Sequence, residues 1–251
     1  MFSTVTMQRN NDGRVLYHSL QTRVQKRFSR GLQWVANYTR SRSMQYLQTS
    51  SVNVRHNNRT VSAIDIPNMI SVFLTYQMPL GRGRTWGRDW SRGLNSAAGG
   101  WTVAFTTHYQ SGDPLTVTDT NGVPIPIGDP NTTGGVKDRL GDQIDPRTNL
   151  PLNPYFNRDV WVRIANFTIS PEPSLWSWLR GPTHWSQTIT LTKSIVLAER
   201  WKVELRALAS SPFNHPSFDN PATNLASPAT FGVITGAGGT RTVTFGAKLR
   251  F

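Results

Sequence analysis

The chain closes on Thr242-Val243-Thr244-Phe245-Gly246-Ala247-Lys248-Leu249-Arg250-Phe251, ten residues in which apolar and polar side chains strictly alternate. Val243, Phe245, Ala247, Leu249 and Phe251 fall on one face of an extended strand, and Thr242, Thr244, Gly246, Lys248 and Arg250 on the other, because successive side chains of a strand point to opposite sides. Ten residues is the length a tilted strand needs to cross a bilayer. A strand with one oily face, one wet face and a carboxy-terminal aromatic predicts a wall that separates lipid from water.

Working outward from that strand, the same period-2 pattern returns six more times, and helical periodicity is hard to find. In about Val15 to Phe28, Leu16, Leu20, Val24 and Phe28 oppose Tyr17, Ser19, Gln21, Arg23, Gln25 and Arg27. After a tight turn at Ser29-Arg30-Gly31, residues Leu32, Trp34, Ala36 and Tyr38 oppose Gln33, Asn37, Thr39, Ser41 and Ser43 up to about Met44. Near Met69 to Met78, Val72, Leu74, Tyr76 and Met78 oppose Ser71, Thr75 and Gln77; further on, Trp101, Val103, Phe105 and Tyr109 oppose Thr102, Thr106, His108 and Gln110. Trp185, Ile189, Leu191, Ile195 and Leu197 oppose Ser186, Thr188, Thr190, Thr192 and Ser194, with Lys193 interrupting the apolar face. Trp201, Val203, Leu205, Ala207 and Ala209 oppose Lys202, Glu204, Arg206 and Ser210. Ser3 to Gln8 could supply an eighth, partial strand. The expectation is an all-β, antiparallel transmembrane barrel segment of about seven or eight strands. A soluble sandwich, whose outer faces also meet water, is the competing architecture.

Composition is compatible with the membrane reading. Only 37% of the 251 residues are hydrophobic, and mean hydropathy is −0.40. That suits a barrel, which spends its apolar residues on one face only. No run approaches the roughly 18 to 20 apolar residues of a spanning helix, and no apolar run follows Met1 as a secretion signal would. Cysteine is absent, which removes disulfide and thiolate chemistry. The net charge of +13 raises nucleic-acid binding, but the arginines are dispersed through turns and alternate strand positions, without a basic block or a recognisable motif. No nucleic-acid partner is therefore expected.

Trp34, Tyr38, Trp101, Tyr109, Trp185 and Trp201 sit near expected strand ends, where amphipathic rings suit the headgroup zone. Ordinary sheet aromatics would look similar. With the last strand ending in the periplasm, the inner connections are Ala198 to Arg200, Leu80 to Gly100 and Ser29 to Arg30. The outer ones are about Asn214 to Arg241, Gly112 to His184 and Gln45 to Asn68. All three outer loops are long and two inner turns are tight, as outer-membrane barrels require; Leu80 to Gly100 is the exception. The Gly112 to His184 loop holds ten of the sixteen prolines and suits an irregular excursion where ligand contacts concentrate. Trp161, Trp176 and Trp178 within it suggest packing rather than a disordered linker.

The runs Val24-Gln25-Lys26-Arg27-Phe28-Ser29-Arg30-Gly31-Leu32-Gln33 and Tyr38-Thr39 resemble the barrel of the Oar-like TonB-dependent outer-membrane transporters. So do Pro79-Leu80-Gly81-Arg82-Gly83, Gly99-Gly100-Trp101, Gln110-Ser111-Gly112-Asp113-Pro114-Leu115, Phe213-Asn214-His215-Pro216-Ser217-Phe218, Phe231-Gly232-Val233-Ile234-Thr235 and Arg241 to Phe251. The similarity runs from about residue 15 to the end; Leu208-Ala209-Ser210-Ser211-Pro212 departs from the family pattern. It implies that 1–251 is the carboxy-terminal part of a 22-stranded barrel, without the plug and amino-terminal regulatory-like domain that precede it in the family. It also implies outer-membrane lipid, the missing strands and plug, the TonB system and the barrel-insertion machinery as partners, in a Gram-negative outer membrane. In that family the terminal aromatic strand, here Val243, Phe245, Ala247, Leu249 and Phe251, is the insertion signal. A small standalone outer-membrane barrel acting as adhesin or anchor, and a soluble basic β protein binding nucleic acid, are the alternative functions.

No enzymatic activity, cofactor or metal is expected. His18, His56, His108, His184 and His215 are isolated in sequence, and the Gly-rich pieces lack the residues of a phosphate loop. Asp138, Asp142 and Asp145 could hold calcium, although not at EF-hand spacing. A Ser/His site assembled in space at the barrel rim would draw on His108 or His184. Asn37, Asn58, Asn131 and Asn166 begin Asn-x-Thr triplets, without consequence in a bacterial barrel.

Overall fold

The computed structural model describes residues 14–46, 59–131, 154–166, 168, 170–196 and 201–251. Its strands are β1 (Arg14–Ser29), β2 (Leu32–Tyr46), β3 (Arg59–Val61) and β4 (Asn68–Gln77). The short helix α1 (Arg92–Ala98) is followed by β5 (Trp101–Gln110), β6 (Ile125–Pro126), β7 (Trp161–Val162) and β8 (His184–Val196). Then come β9 (Lys202–Ser210), β10 (Ser217–Phe218), β11 (Ala237–Gly238) and β12 (Thr242–Arg250). The main sheet runs β1-β2-β4-β5-β8-β9-β12, with β3 added beside β2. Every pairing in it is antiparallel. The seven long strands coincide with the seven alternating segments, to within one or two residues at the ends. The possible strand Ser3 to Gln8 lies outside the described residues.

The β1–β2 hairpin turns on Arg30 (φ 51) and Gly31 (φ 81). Positive φ at both central residues is the mirror-image turn that matches strand twist. Gly31 is also needed for space: a Cβ there would lie 2.6 Å from the Gln77 carbonyl oxygen.

Paired residues of an antiparallel ladder share a face, so the register shows whether the apolar faces coincide. Those of β2, β4, β5, β8, β9 and β12 do; in β1 Val24 stands beside Ala36 and Leu16 beside Met44, but Lys26 and Ser29 occupy the rows of Trp34 and Leu32, where the register shifts. One row runs Trp34, Leu74, Phe105, Ile189, Ala209, Val243, and another Leu32, Tyr76, Val103, Leu191, Ala207, Phe245. The opposite face carries Gln33, Thr75 and Ala104 in one row, and Thr102, Thr192, Arg206 and Gly246 in another. The rows also climb. Leu32, the innermost residue of β2, aligns through five steps with Phe245, the sixth residue from the inner end of β12. A climb of about one residue per strand, ~3.3 Å against a strand spacing of ~4.8 Å, tilts the strands by about 35°, the slant of barrel walls.

Burial separates this sheet from a soluble sandwich. Among the described residues, the buried apolar side chains are Val61, Leu115, Val117, Tyr155, Phe156, Trp161, Ile164, Trp176, Leu179, Phe231, Val233 and Ile234, and none lies on the seven long strands. Phe245 remains 79% exposed and Leu20 66%. In a sandwich the apolar face would be the core, covered by a second sheet. Here, among the described residues, no second sheet covers it, and its side chains stay half-exposed on the central strands and exposed on the edge strands. β1 and β12 form the two edges of the sheet.

The buried residues instead belong to the outer loops. Leu115, Val117, Tyr155, Phe156, Trp161, Trp176, Leu179, Phe231 and Ile234 make one cluster, with Phe156 edge-on to Phe231 at 5.0 Å and Trp161 tilted on Trp176 at 5.2 Å. The two loops are knitted by main-chain hydrogen bonds: Thr118 N to Thr223 O, Leu225 N to Thr118 O and Tyr155 N to Gly232 O. They form a folded cap. Trp178 stays 42% exposed and stacks on Trp176 at 5.5 Å.

The long inner connection is neither a tight turn nor a structureless loop. Ser91 caps α1, its hydroxyl accepting from Leu94 N at 3.2 Å, as a short polar residue does at a helix start. The Asn95 side-chain oxygen accepts from Arg82 N at 2.8 Å. The helix end is fixed to the sheet: Trp101 Nε1 donates to Ala97 O at 3.2 Å, and Lys193 Nζ donates to Ala97 O and Gly99 O. Lys193, the residue that breaks the apolar face, sits in the row of Trp101 near the inner end of β8. Its ammonium lies 5.1 Å from the Trp101 ring centroid.

Candidate functional site

Two surfaces carry chemistry: the membrane-facing side of the sheet, and the outer end where strands meet the cap.

On the apolar side, Tyr38, Ile70, Tyr109 and Trp185 lie in one register row across β2, β4, β5 and β8. Three of the six aromatics expected at the interface are thus brought together at the outer half of the wall. Tyr38 OH bonds to Asn68 Oδ1 at 2.9 Å, and Trp185 Nε1 donates to Thr107 Oγ1 at 2.8 Å. Trp101 begins β5 at the inner end. Trp201 precedes β9 and meets Phe251, their ring centroids 5.6 Å apart. Trp34 follows the inner β1–β2 turn, in the row of Leu74. Val243, Phe245, Ala247 and Leu249 face the Ala209, Ala207, Leu205 and Val203 side of β9. Phe251 lies just past β12 and is 90% exposed. The polar side of these last strands carries an Arg250 to Glu204 contact of 3.4 Å.

At the outer end the cap is bolted to the wall by residues that alternation does not reveal. Arg180 donates to the backbone carbonyls of Asp65 (2.8 Å) and Gly112 (3.2 Å) and forms an ion pair with the Asp65 carboxylate. Asp65 also accepts from Ser43 N at 2.5 Å, so one buried carboxylate joins β2 to the cap. Thr60 Oγ1 donates to Leu175 O. Gly112 lets the chains cross closely, since a Cβ there would stand 1.9 Å from Gly181 O. Within the cap, Arg158 donates to Pro228 O. Burial lowers its pKa from the ordinary value, and Asp159 opposes that shift.

The rim histidines occupy a cleft of about 190 Å3 lined by His108, His184, His215, Ser186, Ser211 and Ser217, among others. His108 Nδ1 lies 2.9 Å from Ser71 Oγ and its Nε2 lies 3.3 Å from Gln110 Oε1. His184 Nδ1 lies 3.0 Å from Ser217 Oγ, and His215 packs edge-on against Trp185 at 5.4 Å. Each Ser/His pair exists, but among the described residues no ion pair joins a carboxylate to either imidazole. A serine nucleophile relies on a base oriented by a third group, and these pairs read as polar contacts of the rim. Among the described residues no three of His, Cys, Asp and Glu converge as metal ligands. Asp138, Asp142 and Asp145 lie outside the described residues, as does His56. A second cleft, of about 490 Å3, opens between Ser19 and Ser41 of the wall and Ser177, Trp178 and Arg180 of the cap.

The comparisons agree with this geometry. A family model for an outer membrane beta barrel domain matches residues 1–244. No curated protein and no solved structure matches.

Proposed function

The chain belongs to the outer membrane β-barrel domain family, and from that premise we propose that it forms the carboxy-terminal wall and ligand-facing loops of a TonB-dependent transporter. The protein resides in the outer membrane of a Gram-negative bacterium. The observation that carries the finer reading is that, among the described residues, β1 and β12 are edges without a partner, on a tilted wall of seven strands capped at its outer end by folded loops. Backbone groups left unpaired in hydrocarbon cost several kcal/mol each, so both edges need partner strands. In this reading they come from the remainder of a barrel of about 22 strands, a number suited to a plugged lumen. The cap and the 490 Å3 cleft meet ligand, TonB supplies energy through the plug, and no catalytic step is involved.

Cysteine pairs scanned between β1 and β12 test this in a chain with no cysteine of its own. Disulfides from either edge to other strands of the parent, together with loss of uptake when TonB is deleted, are expected. An efficient β1–β12 disulfide in native membranes would refute the transporter reading and leave a small closed barrel. The compact cap core favours that second reading, an adhesin or anchor presenting a rigid outer surface.

A further inference from the structure

The rows of the membrane-facing side do not end at the aromatic row. Moving outward on the same face from Tyr38, the next rows pair Leu20, Arg40 and Asn68, then His18 and Arg42, then Leu16, Met44 and Val61, then Arg14, Tyr46 and Arg59. Five cationic or titratable side chains thus gather on one face of β1, β2 and β3, and all five are exposed. Among the described residues their polar contacts leave the charge uncompensated: Arg40 donates to the Asn68 amide oxygen at 2.8 Å, Arg42 donates to the Met44 sulfur at 3.4 Å, and Arg59 lies over the Tyr46 ring at 5.8 Å. Among the described residues the ion pairs involve Asp119, Asp65 and Glu204, and none includes these five. Asp65, which lines a cleft together with His18, Arg40 and Arg42, is committed to Arg180.

Height fixes what such a cluster meets. The tight turn at Gly31 marks the inner end. With ~3.3 Å per residue and a tilt near 35°, Arg40 and Arg42 stand about 24 and 30 Å above it. The apolar band of outer-membrane barrels is ~25 Å tall, and arginine is costly at its centre but nearly neutral at its border. Arg40 and Arg42 therefore straddle the outer border, above the tyrosine and tryptophan row, where lipid headgroups lie. Guanidinium groups match phosphate geometry by paired hydrogen bonds.

We propose that the face formed by Arg14, His18, Arg40, Arg42 and Arg59 binds the phosphate groups of an outer-leaflet glycolipid headgroup. The site rests on the membrane placement of the sheet. It would give the β1–β2–β3 side of the wall a bound phosphorylated lipid on the strands whose residues His18, Arg40 and Arg42 also line the cleft beside the cap.

The test uses the full parent protein in nanodiscs doped with bisphosphorylated lipid A or with its dephosphorylated form, with bound lipid read by native mass spectrometry. Two arginines near a lipid surface predict a preference for the phosphorylated form of about tenfold or more. R40Q/R42Q should bring that preference close to unity, whereas R82Q/R84Q, the same charge change at the inner end, should leave it intact. Equal retention by wild type and R40Q/R42Q, an equal loss in both double variants, or displacement by inorganic phosphate matched to the lipid phosphate would each overturn the proposal. Carbonate resistance of each preparation keeps the two claims apart: a chain extracted by carbonate refutes the membrane placement, whereas an integrated chain without phosphate preference refutes this site alone.

Discussion

Replacing Leu74 by arginine places a charge near the middle of the apolar face, between Trp34 and Phe105 in the same row. Leu74 stands three residues from Gln77, the inner end of β4, about 8 Å into an apolar band of ~25 Å at a tilt near 35°. An arginine near that depth costs ~2–4 kcal/mol. At 1.4 kcal/mol per decade, the folding equilibrium in lipid falls by about 30- to 1,000-fold. The neighbouring substitution, Thr75→Arg, uses the same strand and nearly the same depth but points to the polar side, beside Gln33 and Ala104. It should change stability by no more than ~0.5 kcal/mol. Urea titrations of the protein folded into vesicles, followed by heat-modifiable gel mobility, measure both variants. Equal costs for Leu74→Arg and Thr75→Arg, or a larger cost at Thr75, would refute the assignment of faces.

Three further outcomes follow from the cap and the last strand. Asp65→Ala leaves Arg180 without its anion and should destabilise the cap by ~3 kcal/mol, seen as faster proteolysis within 112–184 while the strands stay protected; the double change Asp65→Leu with Arg180→Met should recover most of it. Gly112→Ala drives a methyl into Gly181 O and should cost ~1–3 kcal/mol, again read by cap proteolysis. Deleting Phe251, which is 90% exposed and touches Trp201, should lower the stability of refolded protein by less than ~1 kcal/mol. In cells the deletion should sharply reduce outer-membrane assembly, because the terminal aromatic would act as a signal; equal membrane yields with and without Phe251 would remove that role.

The wall was legible because its physics is local. Alternation at Leu16 to Val24, at Trp185 to Ile195 and at Val243 to Leu249 records which side chain faces lipid, and the structure sets those faces in register; it was not legible that the β1–β2 register shifts between Lys26 and Ser29, at Phe28. The turn at Arg30-Gly31 was legible for the same reason. The cap was only half legible: Trp161 and Trp176 signalled packing, but their partners Phe231 and Ile234 lie in a different loop, and such long-range pairing leaves no periodic mark. Asp65 and Arg180 are 115 residues apart in sequence, so their ion pair could not be read from spacing. Lys193 looked like a defect in an apolar face; its partners are helix-end carbonyls, in a connection whose length alone set it apart. The cationic rows outward of Tyr38 needed the β1–β2–β3 register, since Arg40, Arg42 and Arg59 are scattered in sequence.

The placement of one face in lipid and the other in water is tested most directly by cysteine labelling along β8 in native membranes, which the absence of native cysteine makes clean. Single cysteines at Thr188, Thr190 and Thr192 should react with a water-soluble maleimide, while those at Ile189, Leu191 and Ile195 should resist it and be quenched by brominated lipid when carrying a fluorophore. Uniform labelling of all six positions, or the opposite phase, would contradict the account.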